Sequence, residues 1–166
     1  YHSERELKLG KSTNLDGSVL LHLGMLNEKR VPSLFFKIFD QNWQGQRFIM
    51  QFTGIISPDV LKQIASLEHL PELCAIKDSV NHQDLKEEYS QSDFLLLLQT
   101  NSSESSTQLP GKLFEYLAQK KPILAFGDPE SDAARILNEC NCGIMLAYDD
   151  EVGTKHVVEQ LLGGTF

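Results

Sequence analysis

One segment of the 166-residue chain gathers residues whose types and spacing could do chemistry: Leu109-Pro-Gly-Lys-Leu-Phe-Glu-Tyr-Leu-Ala-Gln-Lys-Lys-Pro-Ile-Leu-Ala125. Its apolar positions Leu113, Phe114, Leu117 and Ala118 recur at helical spacing and form the face expected against a core. Gly111, Lys112 and Glu115 then share the other side of the first turns, because positions three and four apart are neighbours on a helix. A lysine in a first turn opposes the helix macrodipole, which favours an anion there. A phosphate docked on the free amides would resolve that conflict, and Gly111 would let it approach the backbone closely. A solvated Lys112 paired with Glu115 satisfies the same spacing. Glu115 also has two readings: it could accept two hydrogen bonds from a ribose cis-diol, or be an ordinary surface glutamate.

The elements that must position these residues are legible as an alternation of short apolar runs and amphipathic stretches. Strands are expected at 17–24, 47–53, 72–76, 94–98, 122–126 and 143–147. Helices are expected from Pro32 to about Asn42, from Ser57-Pro58, after a cap at Asn81, over Pro110 to Ala118, from Asp128-Pro129, and from Glu151 to Leu162. The run Phe94 to Leu98 is apolar without alternation, as suits a strand covered on both faces. The pattern predicts an α/β domain: about six parallel strands with helices on both faces. Ligands of such sheets bind outside the carboxyl ends of the strands, so the loops at 24–31, 54–57, 77–82, 99–111, 127–129 and 148–150 are the ones that matter. Residues 1–16 read as a polar tail or linker, and 17–166 as one domain.

Composition narrows the function. The formal net charge is −8, which argues against a phosphate-tracking nucleic-acid binder. The longest apolar run is too short to cross a bilayer, and the polar start lacks the apolar core of a secretory signal. The absence of an initiator methionine predicts a piece of a longer protein. Three cysteines, Cys74, Cys140 and Cys142, with no CxxC pair point to a reducing compartment, so the cytoplasm is expected. The five histidines show no metal spacing, and Asp149-Asp150-Glu151 reads as a helix cap. GxGxxG, GxxxxGK[ST] and GxSxG are all absent, which removes the main support for dinucleotide, P-loop and hydrolase readings. Phe35, Phe36, Phe39 and Trp43 are expected to pack in the core.

The string PGKLFEYLAQKKPILAF, preceded by EEYSQSDFLLLLQ and by a first strand ending at Gly24, resembles the signature of group 1 glycosyltransferases of the GT-B fold. The resemblance runs from about Val19 to Leu162 and is to the carboxyl-terminal, Rossmann-like domain that binds the nucleotide-sugar donor. It implies that Glu115 holds the ribose and that Pro110, Gly111 and Lys112 meet the diphosphate. Arg30, with Lys29 second, would stabilise the leaving diphosphate. Asp78, Ser79, Val80, Asn81 and His82 would form the nucleobase loop, and Gly24 and Thr107 would complete the donor contacts. Two departures are visible: Met25 stands where many members carry arginine, and Thr107 where many carry a first glutamate. By the same resemblance no metal or cofactor is required, and the nucleoside-diphosphate sugar is a substrate. An amino-terminal acceptor domain would lie outside this chain, which alone would be inactive. The setting implied is polysaccharide assembly, with any membrane contact left to the other domain. A sugar-nucleotide epimerase of the same fold, and a noncatalytic module derived from a donor domain, are the alternatives.

Overall fold

Parallel strands buried on both faces read as near-continuous apolar runs, and Phe94–Leu98 and Phe48–Thr53 are buried along their whole length, with Gln51 and Thr53 the polar members of the second. The computed structural model describes residues 17–78, 80–100 and 111–166. The expected tail at 1–16, together with Ser79, Thr107 and Pro110, lies outside the described residues. In chain order the elements are β1 Ser18–Leu23, α1 Ser33–Asn42, β2 Phe48–Thr53, α2 Pro58–Ala65, α3 Leu70–Leu73, β3 Cys74–Lys77 and α4 His82–Gln91. Then follow β4 Phe94–Leu98, α5 Gly111–Ala118, β5 Ile123–Phe126, α6 Asp132–Glu139, β6 Gly143–Leu146 and α7 Glu151–Gly163. All the ladders are parallel, in the order β3-β2-β1-β4-β5-β6.

The two faces of the sheet carry different cores because side chains alternate along each strand. Leu20, Phe52, Leu96 and Phe126 face α1, α2 and α7, where Phe35, Phe36, Phe39, Val60, Ile64, Val157 and Val158 complete an aromatic-rich layer. The expected core roles of Phe35, Phe36 and Phe39 hold, and Trp43 packs half-buried at its edge. On the other face Leu21, Leu23, Leu95, Leu97, Ile123 and Ala125 meet α4, α5 and α6.

Two local expectations are corrected. Glu72 and Leu73 belong to α3, and β3 starts at Cys74. The buried Asp40 carboxylate reaches across from α1 and accepts from the amides of His69 and Leu70 at 2.7 and 2.8 Å, capping that short helix. Pro71 suits its first turn and could not have donated to a ladder. The sixth helix starts at Asp132 rather than at Asp128-Pro129, because Ser131 supplies the cap by accepting from the Ala134 amide. Asp128 closes a turn instead, accepting from the Glu130 amide at 2.9 Å. Asp150 caps α7 through the Gly153 amide at 2.9 Å, as read for the acidic triplet.

Candidate functional site

The strand order advances outward from β1 on one side and from β4 on the other, so β1 and β4 form the topological switch point. Their ladder pairs only Leu20 with Phe94 and Leu21 with Leu95. Beyond it a phenol fills the gap: the Tyr116 hydroxyl accepts from the Leu23 amide at 3.1 Å and donates to the Leu96 carbonyl at 3.1 Å. Burial pushes this phenol's pKa up, so it stays a donor. Tyr116 is a core residue that the apolar pattern of α5 missed. Leu113 and Tyr116 are its buried positions, whereas Phe114 is 54% exposed and Ala118 is exposed. The signal was the three-residue spacing of Leu113 and Tyr116, with a hydroxyl that needs a buried partner. Tyr116→Phe leaves one amide and one carbonyl unpaired in the interior, and an expected loss of about 2–4 kcal/mol follows. Urea unfolding of the purified variant measures it.

The loops after β1 and β2 run side by side past the strand ends. Gly24, at φ +111°, donates its amide to the Thr53 carbonyl at 2.9 Å, and Leu26 bridges Ile56. Met25, after Gly24, and Ile55, after Gly54, are exposed at this rim. The same loop delivers Arg30, half-buried, whose Nη2 donates to Thr100 Oγ1 at 3.2 Å. The Tyr148 hydroxyl donates to the Gln99 carbonyl and lies 3.4 Å from the Arg30 carbonyl. A guanidinium is therefore tethered at the carboxyl ends of β1 and β4, while the neighbouring Lys29 is exposed. Thr100 and Tyr148 carry no motif, and their part in holding Arg30 was not legible.

At the start of α5, Lys112 Nζ lies 3.1 Å from Glu115 Oε2, both side chains partly open to solvent. Gly111 is exposed, with open space where a Cβ would stand. The charges converge on the same place. The buried His22 imidazole of β1 is lowered to about 3, first by burial, then by the Arg30 charge and then by that of Lys112. The Tyr89 hydroxyl of α4 is pushed up to about 12, first by burial and then by the Glu115 carboxylate. Arg30 and the Lys112–Glu115 pair, distant from each other in sequence, thus act on one end of the sheet. Such a site can neutralise a doubly charged anion and offer a carboxylate to hydroxyl groups beside it.

The expected base-reading loop follows β3. Lys77 ends that strand with its Nζ 3.7 Å from Glu88 Oε2, and the buried Glu88 carboxylate accepts from Thr53 and Gln51. Asp78 is exposed, Val80 is half-buried, and the Asn81 side chain caps α4 by accepting from the Asp84 amide at 3.0 Å. His82 is the first residue of that helix. Among the described residues no group of three His, Cys, Asp or Glu side chains is arranged to hold a metal ion. Among them, too, no helix is long and apolar enough to cross a membrane.

No family model and no curated protein matches the sequence. Solved structures do match its shape. WaaG, a glycosyltransferase involved in lipopolysaccharide biosynthesis, superposes with a TM-score of 0.69 at 14% identity, over 96% of this chain and 42% of its own. Anabaena HepE in complex with UDP gives 0.70 at 13% identity, over 99% of this chain and 43% of its own. The same protein in complex with UDP-glucose gives 0.67 at 13% identity, with the same coverage. The S. aureus MnaA–UDP structure gives 0.60 at 12% identity, over 92% and 39%. The chain has the fold of one half of a GT-B glycosyltransferase.

At these identities the likeness is one of fold, and the chain spans about two-fifths of the length of the structures it matches. Within this GT-B half, Gly24, Arg30, Gly111, Lys112 and Glu115 lie on the elements that meet at the β1–β4 switch point. Asp78 directly follows β3, which lies beyond β2 in the strand order.

Proposed function

We propose that this chain binds the nucleotide part of a nucleoside-diphosphate sugar, as the donor-binding half of a glycosyltransferase. The carrying observation is the convergence of Arg30, Lys112 and Glu115 on the switch point of a fold that HepE and MnaA display in UDP-bound form. In this reading Glu115 accepts the ribose hydroxyls, and Lys112 leaves its pairing with Glu115 for the diphosphate. Gly111 gives the phosphate access to the start of α5, and the main chain of 78–82 reads the base. Arg30, with Lys29 at its side, faces the phosphate that departs.

In the whole enzyme the bond between the anomeric carbon and the diphosphate oxygen breaks as the acceptor hydroxyl oxygen bonds to that carbon. Negative charge grows on the leaving diphosphate. Fixed cations and helix amides stabilise it without reorganising at the moment of reaction. Such a site needs no metal. The acceptor and the group that takes its proton would come from a second domain, so the isolated chain would bind and not transfer.

Ligand-observed NMR with UDP, GDP, ADP and CMP tests this on the wild type and on Glu115→Ala. Selective binding of one diphosphate is expected, weakened about 30-fold in the variant by loss of charge-assisted hydrogen bonds worth roughly 2 kcal/mol. Binding of all four alike, or equal binding by Glu115→Ala, would sink the assignment.

A further inference from the structure

Gln99 is 4% exposed, yet among the described residues neither atom of its amide has a hydrogen-bond partner. Interiors pair such groups almost without exception, and an apolar side chain would occupy this place at lower cost. The residue directly follows β4 at the switch point. Its carbonyl is held by the Tyr148 hydroxyl, and its neighbour Thr100 receives Arg30. The side chain lies over Gly127 at the end of β5, where an added Cβ would stand 2.2 Å from Oε1. A glycine at 127 is thus what leaves room for the amide.

The chemistry of the group selects its ligand. A carboxamide offers a donor and an acceptor side by side, and the complementary ligand group is a hydroxyl, which also does both. An anion could use only half of it. Positive charge is already supplied next door by Arg30, held on Thr100, so an uncharged ligand group is the one that suits the amide. We propose that the Gln99 amide hydrogen-bonds a hydroxyl of the donor sugar and makes the site prefer a sugar nucleotide over the bare diphosphate. The inference rests on the nucleotide-sugar reading of the same site.

Dissociation constants of the 166-residue chain would be measured for UDP against UDP-glucose and UDP-galactose, GDP against GDP-mannose, and ADP against ADP-glucose. The wild type is expected to hold one sugar ester about tenfold more tightly than its parent diphosphate, the worth of one buried hydrogen bond. In Gln99→Leu that ratio falls to near one while the diphosphate constant stays within twofold. Gly127→Ala, which crowds the amide without removing it, lowers the ratio in the same way. A ratio unchanged in Gln99→Leu overturns the assignment, and so does a wild type with no sugar preference. Gln99→Leu is also expected to match or exceed the wild-type urea midpoint. A clear fall would mean that the amide is already partnered inside the folded chain, and would overturn it equally. Absence of any nucleotide binding by the wild type refutes the parent reading and this one together, whereas diphosphate binding with no sugar preference refutes this one alone.

Discussion

Gly54→Ala is expected to cost about 4 kcal/mol of unfolding free energy, the largest loss from a single added methyl group among the described glycines. Gly54 stands at φ +142°, a backbone conformation that L side chains rarely adopt. A Cβ there would also lie 2.3 Å from the Gly24 carbonyl oxygen and 2.8 Å from its carbon. Both are main-chain atoms, so no rotamer change relieves the overlap. The loops after β1 and β2 must move apart, which breaks the bond between the Gly24 amide and the Thr53 carbonyl and the Leu26–Ile56 bridge. Gly45 serves as the internal control. It has φ +91° but open space around its Cβ position, so Gly45→Ala reports the backbone strain alone, about 1–2 kcal/mol. Urea unfolding of the two variants separates overlap from strain; equal losses would show that the approach of the two loops is not tight. Because the adjoining loop after β1 carries Arg30, Gly54→Ala is also expected to weaken diphosphate binding under conditions where the variant is still folded.

Acid is expected to destabilise the domain through His22. Its folded pKa is lowered from 6.5 to about 3 by burial first and then by the Arg30 and Lys112 charges. A group that holds its proton less tightly when folded favours the unfolded chain as soon as the unfolded form protonates. The contribution is therefore constant above about pH 6.5. It falls by roughly 1.4 kcal/mol per pH unit below that, reaching about 3 kcal/mol by pH 4 and levelling off only near pH 3. Carboxylates also titrate in the lower part of this window, so the informative quantity is the difference between wild type and His22→Leu. The expected result is that the wild type loses its urea midpoint between pH 6.5 and 4 more steeply than the variant. Parallel curves would show that the imidazole titrates normally in the folded protein.

The helices and strands were largely legible because their causes are local. The unbroken run Phe94 to Leu98 demanded a strand covered on both faces, Ser57-Pro58 and Asn81 announced helix starts, and Asp150 announced a cap. Local rules failed where a distant group intervened. Glu72 and Leu73 look like strand residues until Asp40, on another helix, caps the turn that contains them. Phe114 looks like a core residue until the sheet beneath α5 proves to fit Tyr116, whose hydroxyl meets two strands at once.

The site divides along the same line. Gly111, Lys112 and Glu115 share one helical turn, so their proximity follows from periodicity, and Lys112 and Glu115 are indeed paired. What that pair faces is a different kind of fact. Arg30 lies more than eighty residues away in sequence, and only the β1–β4 adjacency makes its charge and that of Lys112 fall on the same imidazole. Gln99 is a polar residue after an apolar strand, which reads as a loop position. Among the described residues it becomes a buried, unpartnered amide only because a glycine follows β5 beneath it. Spacing along a chain determines which residues share a turn or a face. The order in which strands pair brings residues from separate loops to one end of the sheet, and that order is set by the packing of the whole sheet.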